Sequence, residues 1–461
     1  MMEMDFSFED YQQHGIRYVY THSLYETWDK EQFRELEKRQ AKQDETVKRT
    51  FKELGKRTTS SYYRKVFTAQ AAAQTFAKKW FPSYKFILPD TLTDDWLSTM
   101  DWHKEHQTRD HSLHQTLATY IVSKMLGNGD PTKGLMLSEQ ESLLSRCASL
   151  MVGGEKMTYL RKYLSNIDTE YASHQASYDQ NWAVEVFYEA AMIAAQFHDM
   201  GYPWQFINTL SKGLREASYG KIKEMLINID AAYNEIKDRL LIYPCFVYDE
   251  KAVGTKEAEA VVAAKDLLKK GLANTHGAPG ALGFMCLNDN IRKFSKTDQQ
   301  AEATSRLILD WAAVGIMMHD MPGLYWGKDN DTDEPVTPIL RLDFERDPLS
   351  CLISLADILE EFERPLAVFG KDEDTIGTDE EIVEVDYDFQ CERSKIEILD
   401  GKLWITYYYK QQEDRETWDK IKGRRKQEVW EYLNPKNGYL DLSSWGIVDA
   451  EGKAEEIVQN E

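Results

Sequence analysis

Apolar positions along the chain change rhythm twice. From residue 101 to about 365 they are dense and recur at helical spacing. Trp182–Phe197 (WAVEVFYEAAMIAAQF) is apolar nearly all round, the mark of a buried helix. Leu307–Met318 (LILDWAAVGIMM) predicts a second such helix and Leu349–Phe362 a third, stopped by Arg364-Pro365. Loops rich in Gly, Asn, Asp and Pro separate them at 127–131 and 327–338. Residues 1–100 read as a helical, aromatic region in which Trp28–Leu54 is a weakly amphipathic surface helix. After Pro365 an acidic loop (370–381) leads into alternating segments. Ile382–Phe389 alternates, and Lys395–Leu399 and Lys402–Tyr409 flank Asp400-Gly401, a two-residue hairpin signal. A charged helix at about 413–433 and an acidic tail follow. The pattern predicts a mainly α protein: a helical region over 1–100, a helical body over 101–365, and a small α+β appendage over 366–461.

Bulk properties narrow the function classes. The 461 residues exceed what one ordinary core holds, and 42% hydrophobic with 29% charged residues is a globular composition. No run approaches the roughly 18 apolar residues of a membrane helix, and the acidic start MMEMDFSFED has no signal pattern, so a cytoplasmic chain without membrane contact is expected. Cys147, Cys245, Cys286, Cys351 and Cys391 form no CxxC pair, which argues against a disulfide framework or a thiolate zinc site. The net charge of -22 opposes long nucleic acid as a partner. A small phosphorylated ligand remains compatible, since metal cations can supply local positive charge. Homo-oligomers are equally compatible with this surface.

Ten histidines leave their placement informative. His198-Asp199 closes a buried helix and is followed by a turn, Met200-Gly201-Tyr202-Pro203. An unpaired carboxylate there is costly, so the pair reads either as a cation site or as a capping Asp beside a core histidine. His319-Asp320 repeats the device, broken by Met321-Pro322-Gly323. Asp357 stands mid-helix among apolar neighbours, unfavourable by propensity and burial alike. His111 and His114, three apart, share one face of an amphipathic helix. His276 opens a small-residue segment, HGAPGALGF, that permits close helix approach.

The order His, His-Asp, His, His, Asp on successive helices resembles the HD-domain superfamily of metal-dependent phosphohydrolases. RDHSLHQTLATYIVSKML resembles its opening His helix and AAQFHDMGYP its His-Asp turn. HGAPGALGF and GIMMHDMPG resemble the extra histidine segments of binuclear members, and LSCLISLADILEEFERP the closing Asp helix. The match covers about 105–365. The resemblance implies an HD-type helical bundle in which His114, His198, Asp199 and Asp357 hold a first metal, Asp199 bridges, and His276 and His319 complete a second. It also implies catalytic roles for Asp199 and for His111, the latter resembling a histidine that protonates the leaving group, although the spacing in the family is four. Gly201-Tyr202-Pro203 stands where many members have Gly-Lys, so phosphate contacts fall to Arg109, Lys328 or Arg364.

Imidazoles with carboxylates suit one or two ions of Mn, Fe, Ni, Co or Zn rather than calcium. Such ions generate hydroxide near neutral pH and clamp phosphoryl oxygens. The expected activity is hydrolysis of a phosphate ester, of a nucleotide or cyclic nucleotide. A di-iron oxygenase of the same fold is an alternative with the same ligand order; a catalytically silent nucleotide-sensing module is another, and the presence of all six ligands argues against it.

Overall fold

A computed structural model describes residues 2–11, 111–152, 179–201, 271–272, 275–292, 299–320, 342–362, 366–370, 381–386, 391–410, 415–435 and 438–457. The described part is mainly helical, with a small sheet. Besides the single turn Phe8–Asp10, its α-helices are α1 (His111–Met125), α2 (Leu143–Val152), α3 (Gln180–Phe197), α4 (Gly277–Arg292), α5 (Gln299–His319), α6 (Pro348–Leu359) and α7 (Arg415–Leu433).

The apolar helix α3 is the hub, with α1, α2, α5 and α6 packed around it and α4 against α5. Fourteen residues from Ala183 to Phe197, interrupted only by the exposed Glu185, are buried, as its all-round apolar sequence requires. The helix is started by Asp179, whose side chain accepts the Trp182 N–H at 2.9 Å. Asp347 does the same for α6 at the Ser350 N–H (3.0 Å), with Pro348 just inside the helix, where its missing N–H costs nothing. The α5 helix begins at Gln299 rather than Leu307, because its polar first turns are adequate helix formers although they carry no apolar stripe.

The main sheet has the order β1-β5-β6-β8, built from Met2–Ser7, Cys391–Leu399, Lys402–Tyr409 and Asp449–Glu456. The β1–β5 and β5–β6 pairs are antiparallel and β6–β8 is parallel. Between β5 and β6, Asp400 (φ 51°) and Gly401 (φ 77°) make the positive-φ hairpin turn read from the sequence. Helix α7 covers the sheet through a stripe of Trp418, Ile421, Arg425, Val429 and Leu433. Smaller pairs join β2 (Leu342–Asp343) to β7 (Leu440–Asp441) and β3 (Leu366–Gly370) to β4 (Glu381–Asp386).

Two expectations need correction. Residues 2–7, placed in a helical region, form β1; Met4 and Phe6 face inward while Glu3 and Asp5 are exposed, a period of two. The acidic tail contributes β8, whose inward residues Ala450 and Gly452 are small because α7 lies directly over them: a Cβ on Gly452 would be 2.3 Å from the Arg425 carbonyl oxygen. The strand β1 ends beside α1, where Tyr11 Oη lies 2.9 Å from Thr116 Oγ1 and Lys124 Nζ 2.7 Å from Asp10. The rest of 12–110 lies outside the described residues. The helical body and the sheet share one continuous core.

Candidate metal centre

Six side chains from five chain segments meet at the ends of the central helices. His114 comes from α1, His198 and Asp199 from the turn after α3, His276 from the residue preceding α4, His319 from the last position of α5, and Asp357 from α6. The four imidazole rings form an arc with edge-on neighbours: His114–His198 at 4.8 Å, His198–His319 at 4.9 Å and His319–His276 at 5.0 Å between centroids.

Close approach at the centre depends on missing side chains. A Cβ on Gly201 would lie 1.7 Å from the His276 carbonyl oxygen, and one on Gly277 would lie 2.7 Å from that of Ile316. Only glycine lets the His276 segment fit between the ends of α3 and α5.

Every ring is fixed through Nδ1, leaving Nε2 to face inward. His198 Nδ1–H donates to the Ala195 carbonyl at 2.7 Å and His319 Nδ1–H to the Ile316 carbonyl at 2.6 Å. His114 Nδ1 is bonded to Glu360 Oε2, and His276 Nδ1 to Asp320 Oδ2 at 2.8 Å. With acceptors at all four Nδ1 atoms, the neutral form of each ring keeps its proton there and its lone pair on Nε2, the arrangement typical of metal-bound histidine. The Nε2 atoms of His114 and His198 lie 2.9 Å apart and those of His276 and His319 3.1 Å apart. Two lone pairs at that distance repel unless a cation or proton lies between them. Metal–nitrogen bonds of roughly 2.1 Å at right angles place ligand atoms about 3.0 Å apart, so the spacing fits an octahedral edge.

The carboxylates complete two overlapping groups. His114, His198 and Asp357 bring ligand atoms within 4.8 Å of one another, as do His198, Asp199 and His319. Asp357 Oδ1 lies 3.0 Å from His114 Nε2. Asp199 turns Oδ2 to His114 (3.6 Å) and Oδ1 to His198 (3.3 Å), His276 (3.1 Å) and His319 (3.7 Å). These buried groups can hold a metal ion. Asp357, with its side chain 27% exposed, marks the open side; Asp199 is 2% exposed.

Burial and charge pull the imidazoles in opposite directions. Burial pushes His198 down to about 3, outweighing the nearby Asp199 carboxylate. Burial also opposes a charge on His276, but Asp320 and Asp199 together outweigh it and raise its pKa to about 10. Asp320 is held below the usual carboxylate range by His276, despite the opposing effect of burial. The Tyr432 phenol of α7 is pushed up by burial and then by the negative charges of Asp357 and Asp320, so the C-terminal helix reaches this side of the centre.

The structure thus brings together His114, His198, Asp199, His276, His319 and Asp357. The backbone of His111 opens α1, but its side chain, like Arg109, Lys328 and Arg364, lies outside the described residues. Sequence reasoning missed Glu360 and Asp320 as partners of the rings. Their only local signal was position: Glu360 stands three residues after Asp357, and Asp320 directly after His319. Of the cysteines, Cys147, Cys351 and Cys391 are buried thiols, and burial raises the pKa of Cys351 and Cys391. Among the described residues no helix is long and apolar enough to cross a membrane. The chain matches no protein-family model, no curated protein and no solved structure.

Proposed function

We propose that this chain is an HD-type metal-dependent phosphohydrolase that holds two divalent cations and cleaves a phosphate ester of a nucleotide or cyclic nucleotide. The observation that carries the reading is the convergence of four Nε2 atoms on Asp199, with Asp357 closing one end. His114, His198 and Asp357 would hold one cation, and His276 and His319 the other. Asp199, with one oxygen toward His114 and the other toward His276, would serve both. With cations bound, the four imidazoles would all be neutral, and the four negative charges of the surrounding carboxylates would be balanced by two divalent ions. Imidazole donors select Mn, Fe, Co, Ni or Zn over calcium.

Bound cations supply Lewis acidity, acidifying water near neutral pH and offsetting charge on phosphoryl oxygens. The chain's own part is to fix the ligand rings through Nδ1, to exclude water on the side of α3 and α5, and to leave the Asp357 side open for the substrate. His111, on the same helix as His114, is the residue assigned to proton donation, and Arg109, Lys328 and Arg364 are assigned to phosphate.

Elemental analysis of the purified chain, paired with a phosphate-release screen over nucleotides and cyclic nucleotides, tests this. About two transition-metal equivalents per chain are expected. Phosphate release should be lost in His198→Ala while the far-UV helical signal stays. Wild-type turnover in that variant overturns the assignment. Iron with oxygen consumption and no phosphate release would move the chain to the di-iron oxygenases, and nucleotide binding without turnover to the sensors.

A further inference from the structure

The four Nδ1 acceptors are of two kinds. His198 and His319 use carbonyls three residues earlier in their own helices, so folding the helix supplies the partner. His114 instead depends on Glu360, which is remote in sequence. Glu360 is the residue at which the chain leaves α6, with φ -86° and ψ 100°. Both of its carboxylate oxygens are engaged: Oε2 by His114 Nδ1, and Oε1 by the Phe362 N–H at 3.2 Å.

The C-terminal unit grips this corner from several sides. Phe362 forms a parallel bridge to Cys391 at the start of β5. Glu361 is buried and paired with Arg425 of α7 at 2.6 Å, and Arg425 Nε donates to Tyr409 Oη at 3.0 Å. Tyr407 Oη donates to the Ile358 carbonyl at 2.8 Å, one residue after Asp357. The contacts Tyr407–Ile358, Arg425–Glu361 and Cys391–Phe362 flank Glu360 on both sides.

We propose that Glu360 is a positioning residue of the metal centre, anchored by the C-terminal sheet and α7, which holds His114 with Nδ1 protonated and Nε2 aimed at the cation. This rests on the two-cation reading above. It ties affinity at the His114, His198 and Asp357 position to a part of the chain that supplies none of the six ligands. A carboxylate is required because both oxygens accept. An amide has one acceptor and one NH2, so Glu360→Gln must leave either the His114 or the Phe362 N–H facing a donor.

The test is titration of the metal-stripped full-length chain with zinc alone, followed by chelator competition, for wild type, Glu360→Gln and Tyr407→Phe. Two binding events are expected in wild type. In Glu360→Gln one of them should weaken by about 10–100-fold while the other is unchanged. Nitrogen-15 spectra of the zinc form should show the His114 Nδ1–H tautomer in wild type and its loss in the variant. Tyr407→Phe removes only a hydroxyl and should weaken the same event by a smaller factor. If Glu360→Gln loses its helical signal, Tyr407→Phe decides by the same readout. Two unaltered binding events with an unaltered tautomer in the folded variants would overturn this inference and leave the metal centre standing. A wild-type chain that takes up no cation would overturn both.

Discussion

Two His-Asp doublets close two apolar helices of this protein, and they do different work. His198-Asp199 follows α3 and His319-Asp320 ends α5. In both, the ring turns back so that Nδ1–H meets the carbonyl three residues earlier, Ala195 or Ile316, and Nε2 points to the centre. The aspartates then diverge. Asp199 sits among the Nε2 atoms, 3.1 Å from that of His276. Asp320 turns to the other edge of the same ring, 2.8 Å from His276 Nδ1, and accepts the His276 backbone N–H at 2.8 Å. The His276 segment passes between the two helix ends and offers one nitrogen to each carboxylate. In the proposed centre the same dipeptide, in the same local frame, supplies a cation ligand in one case and an orienting group in the other. The neighbour decides which.

That contrast can be broken by substitution. Asp199→Asn should give the largest effect, abolishing uptake of both cations and phosphate release, because the carboxylate proposed to serve both loses its charge and one of its two oxygens. Asp320→Asn should instead weaken cation affinity by about 10–100-fold, the usual cost of disturbing a ring's orienting partner. Equal losses in the two variants, measured by chelator competition, would show that the doublets are equivalent after all.

The threading of the His276 segment can be tested separately. Gly201→Ala places a methyl group 1.7 Å from the His276 carbonyl oxygen and should cost about 3 kcal/mol or more in denaturant unfolding. Gly283→Ala, within α4 and with open space around the added carbon, should change stability in the other direction by about 0.5–1 kcal/mol. A tolerated Gly201→Ala would mean that the helix ends have room to separate.

Much of the helical centre was legible in the sequence because burying a polar or charged side chain in or at the end of an apolar helix is costly and needs a reason. His198-Asp199, His319 and Asp357 all announced themselves in that way. Glu360 did not, since Leu359-Glu360-Glu361-Phe362 reads as an ordinary polar helix exit and its partner lies on α1. Arg425 was hidden for a similar reason: within the charged run Lys422-Gly423-Arg424-Arg425-Lys426 nothing distinguishes the one cation that is buried against Glu361. The strand β1 was legible as strict alternation over Met2–Ser7 but was outweighed by the helical texture of the sequence after it. The strand β8 lacked bulky apolar residues, and its small ones make sense only once α7 is known to lie on them.

The docking of β1 has a topological consequence. Tyr11 meets Thr116, and Asp10 meets Lys124, so contacts between residues far apart in sequence fasten the first strand to the helix that carries His114. A disturbance of the N-terminal strand therefore has a direct mechanical path to the His114 helix, although that strand supplies none of the six side chains.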